Sequence, residues 1–186
     1  MKSFDASQIT YAISLHFSQD VNDIISQTVA SIAETTGNRF IIENKIPPHV
    51  TIGAFHATKE TEPNLVRLAE DFSRNQKAGL VRFTEIENFN GKVLFLKPEK
   101  DAFLSEMNRK LHDLVLPEFE KGENGYYTPQ IWFPHTTLAT RLNPSQFSKA
   151  LSVAEKIPLP LTAESCELSL YQCSPFLEVR RLQLVL

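Results

Sequence analysis

Cysteine is scarce in this chain, with only Cys166 and Cys173 among 186 residues. Two cysteines on one predicted strand region form neither a disulfide framework nor a metal-ligand cluster, so we expect free, buried thiols in a reducing compartment. A long apolar run is also missing, and residues 1–5 lack the hydrophobic stretch of a signal peptide. We therefore expect a cytoplasmic protein without a membrane span.

An excess of positive charge is missing as well. The net charge is -3 and the pI is near 6.0, which excludes a broad positive field for long nucleic acid. A nucleotide or RNA end would have to bind through local contacts. The apolar fraction of 42% and the charged fraction of 22% are those of an ordinary globular protein, built as one large domain or two small lobes.

What the chain does contain is a short element that occurs twice. Residues 48–54 read PHVTIGA, and residues 134–140 read PHTTLAT. Because side chains two apart on a strand share a face, the His and Thr of each copy point one way and the apolar residues between them point into a core. Packing explains the apolar matches but not the repeated His and Thr. The repeat therefore predicts two strands that place two imidazoles and two hydroxyls around one small anion.

These four residues suit metal-free chemistry on a phosphate ester. His49 and His135 can each give or take a proton near neutrality, because the unperturbed pKa of histidine is about 6.5. Thr51 and Thr137 can donate hydroxyl hydrogen bonds to the same anion. Neither motif holds a carboxylate or a cysteine, so we expect no dedicated metal site. The two histidines could chelate zinc only with a third ligand from elsewhere.

The order of predicted elements repeats along with the motif. The first half, about 1–90, reads strand, helix, motif strand, helix, strand, and the second half, about 91–186, repeats this order with one strand more. The motif strands are expected at about 47–55 and 130–140. This order predicts a single two-lobed α+β domain over residues 1–186, with a groove between related sheets.

The paired motifs and this order resemble the two-histidine (2H) phosphoesterase superfamily, and more nearly its LigT-like branch of 2'-5' RNA ligases and cyclic nucleotide phosphodiesterases. The resemblance implies a bilobal fold, with two pseudo-symmetric lobes of mainly antiparallel sheet, helices outside and a groove between. It also implies a metal-independent site for 2',3'-cyclic or 2'-5' phosphodiester linkages of a nucleotide or RNA end. By this resemblance His49 and His135 are the acid and the base, with His49 preferred as the acid and His135 as the base. Thr51 and Thr137 hold the phosphate.

One position departs from the LigT-like pattern. Members often carry Arg five residues beyond the second motif histidine, where this chain has Thr140, with Arg141 next. Arg141 shares the parity of His135, so an uninterrupted strand would direct it into the groove toward a phosphate. The alternative is a solvated strand end.

Several aromatic residues near the motifs are candidates for contact with a base. Phe133 and Phe55 have the parity of the motif histidines and either stack on a base in the groove or pack in the core. Tyr127, in a polar loop before the second motif, is a candidate wall of a nucleotide pocket. The remaining histidines are interpreted as non-catalytic: His16 as a structural residue, His56 and His112 as surface residues.

Other functions remain open from the sequence alone. A binding module would hold a nucleotide or a phosphorylated metabolite without turnover, although a pure binder has no need of two titratable groups. A structural or regulatory protein would owe its repeat to duplication alone, and replacing both histidines would then alter stability but not ligand binding. Within the enzyme class, a non-nucleotide cyclic ester is the alternative substrate, and hydrolysis and ligation are both compatible with the motifs.

Overall fold

A computed structural model describes residues 7–186 of the chain. The helices are α1 (Gln19–Thr36), α2 (Phe40–Glu43), α3 (Glu62–Arg74), α4 (Ala102–Val115) and α5 (Pro144–Ala154), with a 3₁₀ turn at Glu123–Gly125. The strands are β1 (Ile9–His16), β2 (Val50–Ala57), β3 (Gly79–Phe89), β4 (Val93–Pro98), β5 (Glu120–Lys121), β6 (Thr136–Ala139), β7 (Leu161–Ser165), β8 (Glu167–Cys173) and β9 (Phe176–Gln183). Within this part of the chain, no helix has the length and apolar character needed to cross a membrane.

The strands form two antiparallel sheets. The first sheet has the order β5-β2-β1-β8-β9, and the second has the order β6-β4-β3-β7. α3 and α4 pack on the first sheet, while α1 and α5 pack together beside β6 and β4 of the second. The expected α+β fold with antiparallel sheets is confirmed. Each sheet takes strands from both halves of the sequence, so the division near residue 90 is not a boundary between sheets.

Helix α1 illustrates how the apolar pattern sets the packing. Val21, Ile25, Val29 and Ile32 recur at helical spacing, and all four are buried. The helix ends at Gly37, whose φ of 73° allows its N–H to donate to the carbonyl of Ala33. α1 is thereby fixed as one wall beside the second motif strand.

The two motif strands belong to different sheets and are tied together by side chains. The Thr136 hydroxyl donates to the His49 carbonyl at 2.9 Å, and the Trp132 indole N–H donates to the Thr51 carbonyl at 3.0 Å. The site therefore forms where the two sheets adjoin. The second motif strand is shorter than expected, because residues 130–135 are irregular and Pro134 has no N–H to give to a ladder.

A β-bulge in β2 changes which side chains face the groove. Ile52 has no partner in the register with β1, and one extra residue reverses the faces of the residues that follow it. Phe55, expected on the face of His49, is instead 0% exposed and packs on the His112 ring, with centroids 5.2 Å apart. The expectation that Phe55 stacks on a base is therefore wrong. Ala54 takes the groove face instead.

Asn108 of α4 holds the bulge through two hydrogen bonds. Its side-chain amide donates to the carbonyls of Ile52 and Tyr127, both at 2.7 Å. His112, one turn later, is also buried, and its Nδ1 donates to the Asn108 carbonyl at 2.7 Å. The expectation that His112 lies at the surface is wrong, because the bulge turns Phe55 onto it. Asn108 thus links the first motif strand to the loop that carries Tyr127.

We expect Asn108→Ala to lower the free energy of unfolding by about 2–3 kcal/mol, because it removes two hydrogen bonds from a buried site. Urea denaturation measures the change. Arg109→Ala is the matched control, since the neighbouring side chain is exposed and pairs with Asp113 at the surface; we expect a change within about 0.5 kcal/mol. Equal midpoints for the two variants would show that Asn108 does not hold the bulge.

Candidate functional site

The two motif histidines are held in the same way. Nδ1 of His49 donates to the Pro47 carbonyl at 2.7 Å, and Nδ1 of His135 donates to the Phe133 carbonyl at 2.9 Å. Because a carbonyl only accepts, each neutral ring carries its proton on Nδ1 and keeps the lone pair on Nε2. Each Nε2 is thus left to exchange a proton with a ligand.

Both rings are half-buried, and burial lowers the pKa of each below the ordinary value of 6.5. The hydrogen bonds to the Pro47 and Phe133 carbonyls raise the pKa of the rings, but their effect is smaller than that of burial. A charge on His135 also lowers the pKa of His49, so the two rings are electrostatic neighbours. Near pH 7 both imidazoles are therefore neutral in the free protein.

A cavity of about 240 Å³, here called the motif cavity, opens beside His49. Thr51 and Thr137 both line it, so hydroxyls from the two motif strands converge on one space. Its other lining residues are mainly small, apolar or aromatic, and include Ala12, Ser14, Phe40, Ala54, Tyr127, Tyr171 and Phe176. His135 does not line this cavity; its ring contacts Phe89 and Phe95, with centroids 5.1 and 5.2 Å away.

The Thr51 hydroxyl lies in a cluster of hydroxyl groups. Its oxygen is 3.1 Å from the Ser14 hydroxyl oxygen. Tyr127 is the third member of the cluster: burial raises the pKa of its phenol to about 12, an effect that its interaction with the Thr51 hydroxyl partly offsets. The cluster therefore stays protonated and can donate to an anion.

His16 stands directly behind the first motif. Its ring centroid is 6.4 Å from that of His49. Its Nδ1 donates to the Pro48 carbonyl at 3.1 Å, and the Tyr171 hydroxyl donates to its Nε2 at 3.0 Å. Burial lowers the pKa of His16 to about 4, and charges on His49 and Arg181 act in the same direction. His16 is thus a neutral, fully bonded residue that fixes the backbone before His49.

Arg141 lies just beyond the second motif strand, not within it. β6 ends at Ala139, so the uninterrupted strand expected for Arg141 does not exist, and Thr140 lines the motif cavity instead. Arg141 is exposed, has a φ of 59°, and stacks its guanidinium 4.0 Å from the centre of the Phe40 ring. Since Phe40 lines the cavity, this stacking holds the cation near the cavity rim.

Phe133 lies beside the second motif histidine, as expected, and is 37% exposed. Phe89, which is 38% exposed, packs against it with centroids 5.7 Å apart. The Lys97 ammonium lies 5.7 Å from the centre of the Phe133 ring. These two half-exposed rings form an aromatic surface next to His135.

Sequence reasoning missed the residues that come from remote elements. Tyr171 on β8 and Phe176 on β9 line the motif cavity and stack on each other with centroids 4.7 Å apart. They reach it because β8 pairs with β1, a neighbour relation that no local pattern records. Phe40 was missed because α2 is only four residues long. Among residues 7–186, no cluster of three or more His, Cys, Asp or Glu side chains is arranged to hold a metal ion.

Comparison with known proteins gives a family and a set of similar structures. Residues 23–173 match the family described as the 2'-5' RNA ligase superfamily. Escherichia coli LigT complexed with phosphate superposes with a TM-score of 0.61 at 16% identity, covering 97% of this chain and 100% of that one. LigT complexed with 3'-AMP gives 0.61 at 15% identity, covering 97% and 99%. TT0787 of Thermus thermophilus gives 0.61 at 18% identity, covering 95% and 98%. No curated protein sequence matches at a significant level.

We expect stability to fall as the pH is lowered from 6.5 toward 4, because unfolded His16 binds a proton that the folded protein, with its pKa of about 4, does not. The loss from this residue is about 3 kcal/mol, complete below the folded pKa and absent above pH 6.5. Denaturation across this range measures it. His16→Gln keeps a donor and an acceptor but cannot titrate, so its stability should depend less on pH. Parallel profiles for the two proteins would contradict this assignment.

Proposed function

Because the chain belongs to the 2'-5' RNA ligase superfamily of 2H phosphoesterases, we propose that it is a metal-independent phosphoesterase. Its substrate is a 2',3'-cyclic phosphate or a 2'-5' phosphodiester of a nucleotide or RNA end. The observation that carries this proposal is the matched presentation of two imidazoles, each with Nδ1 bonded to the carbonyl two residues before it. The solved LigT structures with phosphate and with 3'-AMP add support from the family.

The proposed hydrolysis needs one base and one acid. His135 takes a proton from water through Nε2 as the water oxygen attacks phosphorus. His49, protonated on Nε2, gives its proton to the ribose oxygen that leaves as its P–O bond breaks. The product is a monoester with a free neighbouring hydroxyl. In ligation the 5'-hydroxyl of another RNA end takes the place of water: His135 takes its proton as the oxygen attacks phosphorus, and His49 protonates the ribose oxygen that leaves as the ring P–O bond breaks. The reversal of this ligation re-forms the cyclic phosphate and releases the 5'-hydroxyl, and the two histidines then exchange roles.

Thr51 and Thr137 hold the phosphate in this proposal. Their hydroxyls donate to the non-bridging oxygens, where negative charge must be stabilised throughout the reaction. The Ser14 hydroxyl, 3.1 Å from Thr51, keeps one of these donors in place. Donors fixed before substrate arrives cost no reorganisation during the chemical step.

The remaining proposed contacts surround the phosphate. Tyr127 forms a wall of the motif cavity, where the sugar or base of the substrate lies. Phe133, half-exposed beside His135 and outside the motif cavity, offers a ring on which a second base of an RNA end can stack. Arg141, stacked on Phe40, supplies a positive charge at the rim. Phe55 has no part in binding because it is buried.

We expect His49→Ala and His135→Ala each to lower kcat by about 10²–10⁴-fold, since each removes one proton transfer. Turnover of 2',3'-cyclic mononucleotides in the presence of EDTA is the measurement, and wild-type activity should survive the chelator. His56→Ala is the matched control: it removes a histidine from the same strand that lies outside the motif cavity and bonds to Thr10.

Three results would count against the proposed mechanism. Loss of wild-type activity with EDTA would point to a metal. Equal activity in His49→Ala and His56→Ala would show that His49 is not the catalytic acid. Tight nucleotide binding by the wild-type protein without turnover of any cyclic nucleotide would favour the binding module.

We also expect kcat/KM to reach its maximum below pH 6.5 and to fall as the pH rises through neutrality. Burial holds the pKa of both histidines below 6.5, so the acid loses its proton there, while the base must be neutral. The kcat profile should lie at higher pH, because a bound anion favours the imidazolium. Rates measured from about pH 4.5 to 9 give both profiles. A value of kcat/KM that rises steadily above pH 7 would contradict this expectation.

A further inference from the structure

Glu123 brings an acidic group to the motif cavity. It is exposed, and it lines the cavity together with mostly apolar and aromatic residues. Its charge contributes to raising the pKa of Tyr127 and of Cys173, both also lining residues, so the carboxylate lies close to both. No lysine or arginine among residues 7–186 forms an ion pair with Glu123. An unpaired carboxylate in a site for an anionic substrate calls for a specific use.

The backbone holds Glu123 in this place at a cost. Glu123, Asn124 and Gly125 are all left-handed, with φ values of 47°, 53° and 77°. Glycine and asparagine tolerate this backbone, but it is unfavourable for a glutamate. Gly122, just before them, donates its N–H to the Ala54 carbonyl at 2.8 Å. A Cβ on Gly122 would lie 3.0 Å from the β2 backbone, so the loop docks closely on this strand. The docking fixes where Glu123 sits relative to the cavity.

The lining of the cavity offers two kinds of contact. The hydroxyls of Thr51 and Thr137 can donate to one phosphate. The rings of Tyr127 and Tyr171 offer apolar surface for a planar group, and the Tyr171 ring lies 6.2 Å from the His49 ring, centroid to centroid. Among the described residues, those that line the cavity include no lysine or arginine, and Glu123 repels a second phosphate. The rest of the cavity therefore suits an uncharged aromatic group with hydrogen-bond donors.

We propose that Glu123 reads the nucleobase, its carboxylate accepting a hydrogen bond from an exocyclic amino group. This inference rests on the proposed nucleotide substrate. An ionised carboxylate only accepts, and it pairs with the amino groups of cytosine, adenine and guanine. Uracil has a carbonyl oxygen where cytosine has its amino group. This oxygen and the Glu123 carboxylate are both acceptors, so they repel each other. Substrates with an amino-bearing base are therefore preferred over uridine.

Cytidine and uridine 2',3'-cyclic phosphates give the sharpest test, because the two bases are nearly equal in size. We expect wild-type kcat/KM to favour the cytidine substrate by about tenfold or more. Glu123→Gln should bring this ratio close to one, since the amide can accept from the cytosine amino group or donate to the uracil oxygen. The ratio is the proper readout, because loss of a negative charge also improves binding of both anions.

Glu60→Gln is the matched control, since it removes the same charge from an exposed turn outside the cavity. Its ratio should equal that of the wild type. Glu123→Ala is the second variant, with a thermal melt to verify folding, and it should also give a ratio near one. A wild-type ratio near one, or a ratio unchanged in Glu123→Gln, would overturn the base-reading role and leave the phosphoesterase function standing.

If neither cyclic nucleotide is hydrolysed, the proposed function fails for these substrates, and the inference is tested by binding. Titration with 3'-CMP and 3'-UMP gives the same ratio as affinities. At least tenfold tighter binding of 3'-CMP, lost in Glu123→Gln, would support the role of Glu123. Equal affinities in the wild type would overturn it.

Discussion

The site depends on two hydrogen bonds that join the motif strands across the boundary between the sheets. Through them Thr136 holds the carbonyl of His49, and Trp132 holds that of Thr51. Neither bond belongs to a sheet ladder, yet together they fix the distance between two elements that are remote in sequence. The carbonyls of Pro47 and Phe133 then orient the rings. Backbone carbonyls of irregular segments therefore set the geometry of the candidate site, which explains why both histidines precede their strands.

The spacing of apolar residues was enough to predict α1, α3, α4, α5 and the long strands, but not the four-residue α2. It also placed His49 and Thr51 on one face, and both line the motif cavity. It failed where the chain departs from regular geometry. The bulge at Ile52 reversed the face of Phe55 and buried it, and the early end of β6 moved Arg141 off the strand. A period of two predicts faces only while the ladder is unbroken. Bulges and strand ends are set by tertiary contacts such as that of Asn108, which local sequence does not encode.

The contribution of β8 and β9 shows a second limit of sequence reasoning. Tyr171 reaches the cavity because β8 lies beside β1 in the first sheet. The same placement gives His16 its partner, and so keeps an uncharged ring behind His49. A charged His16 would disfavour protonation of His49 still further. Strand order, not periodicity, thus determines the electrostatic surroundings of the first motif.

If the site binds a phosphate as proposed, it must select its ligand by shape and hydrogen bonds, because it holds so little positive charge. The hydroxyls of Thr51 and Thr137 are neutral donors, and both histidines are uncharged before an anion arrives. Binding of an anion favours one imidazolium, so the positive charge is acquired together with the substrate. That coupling disfavours polyanions, because a second phosphate would meet no lysine or arginine among the described lining residues and would face Glu123. The net charge of -3 over the whole chain likewise provides no general attraction for a polyanion.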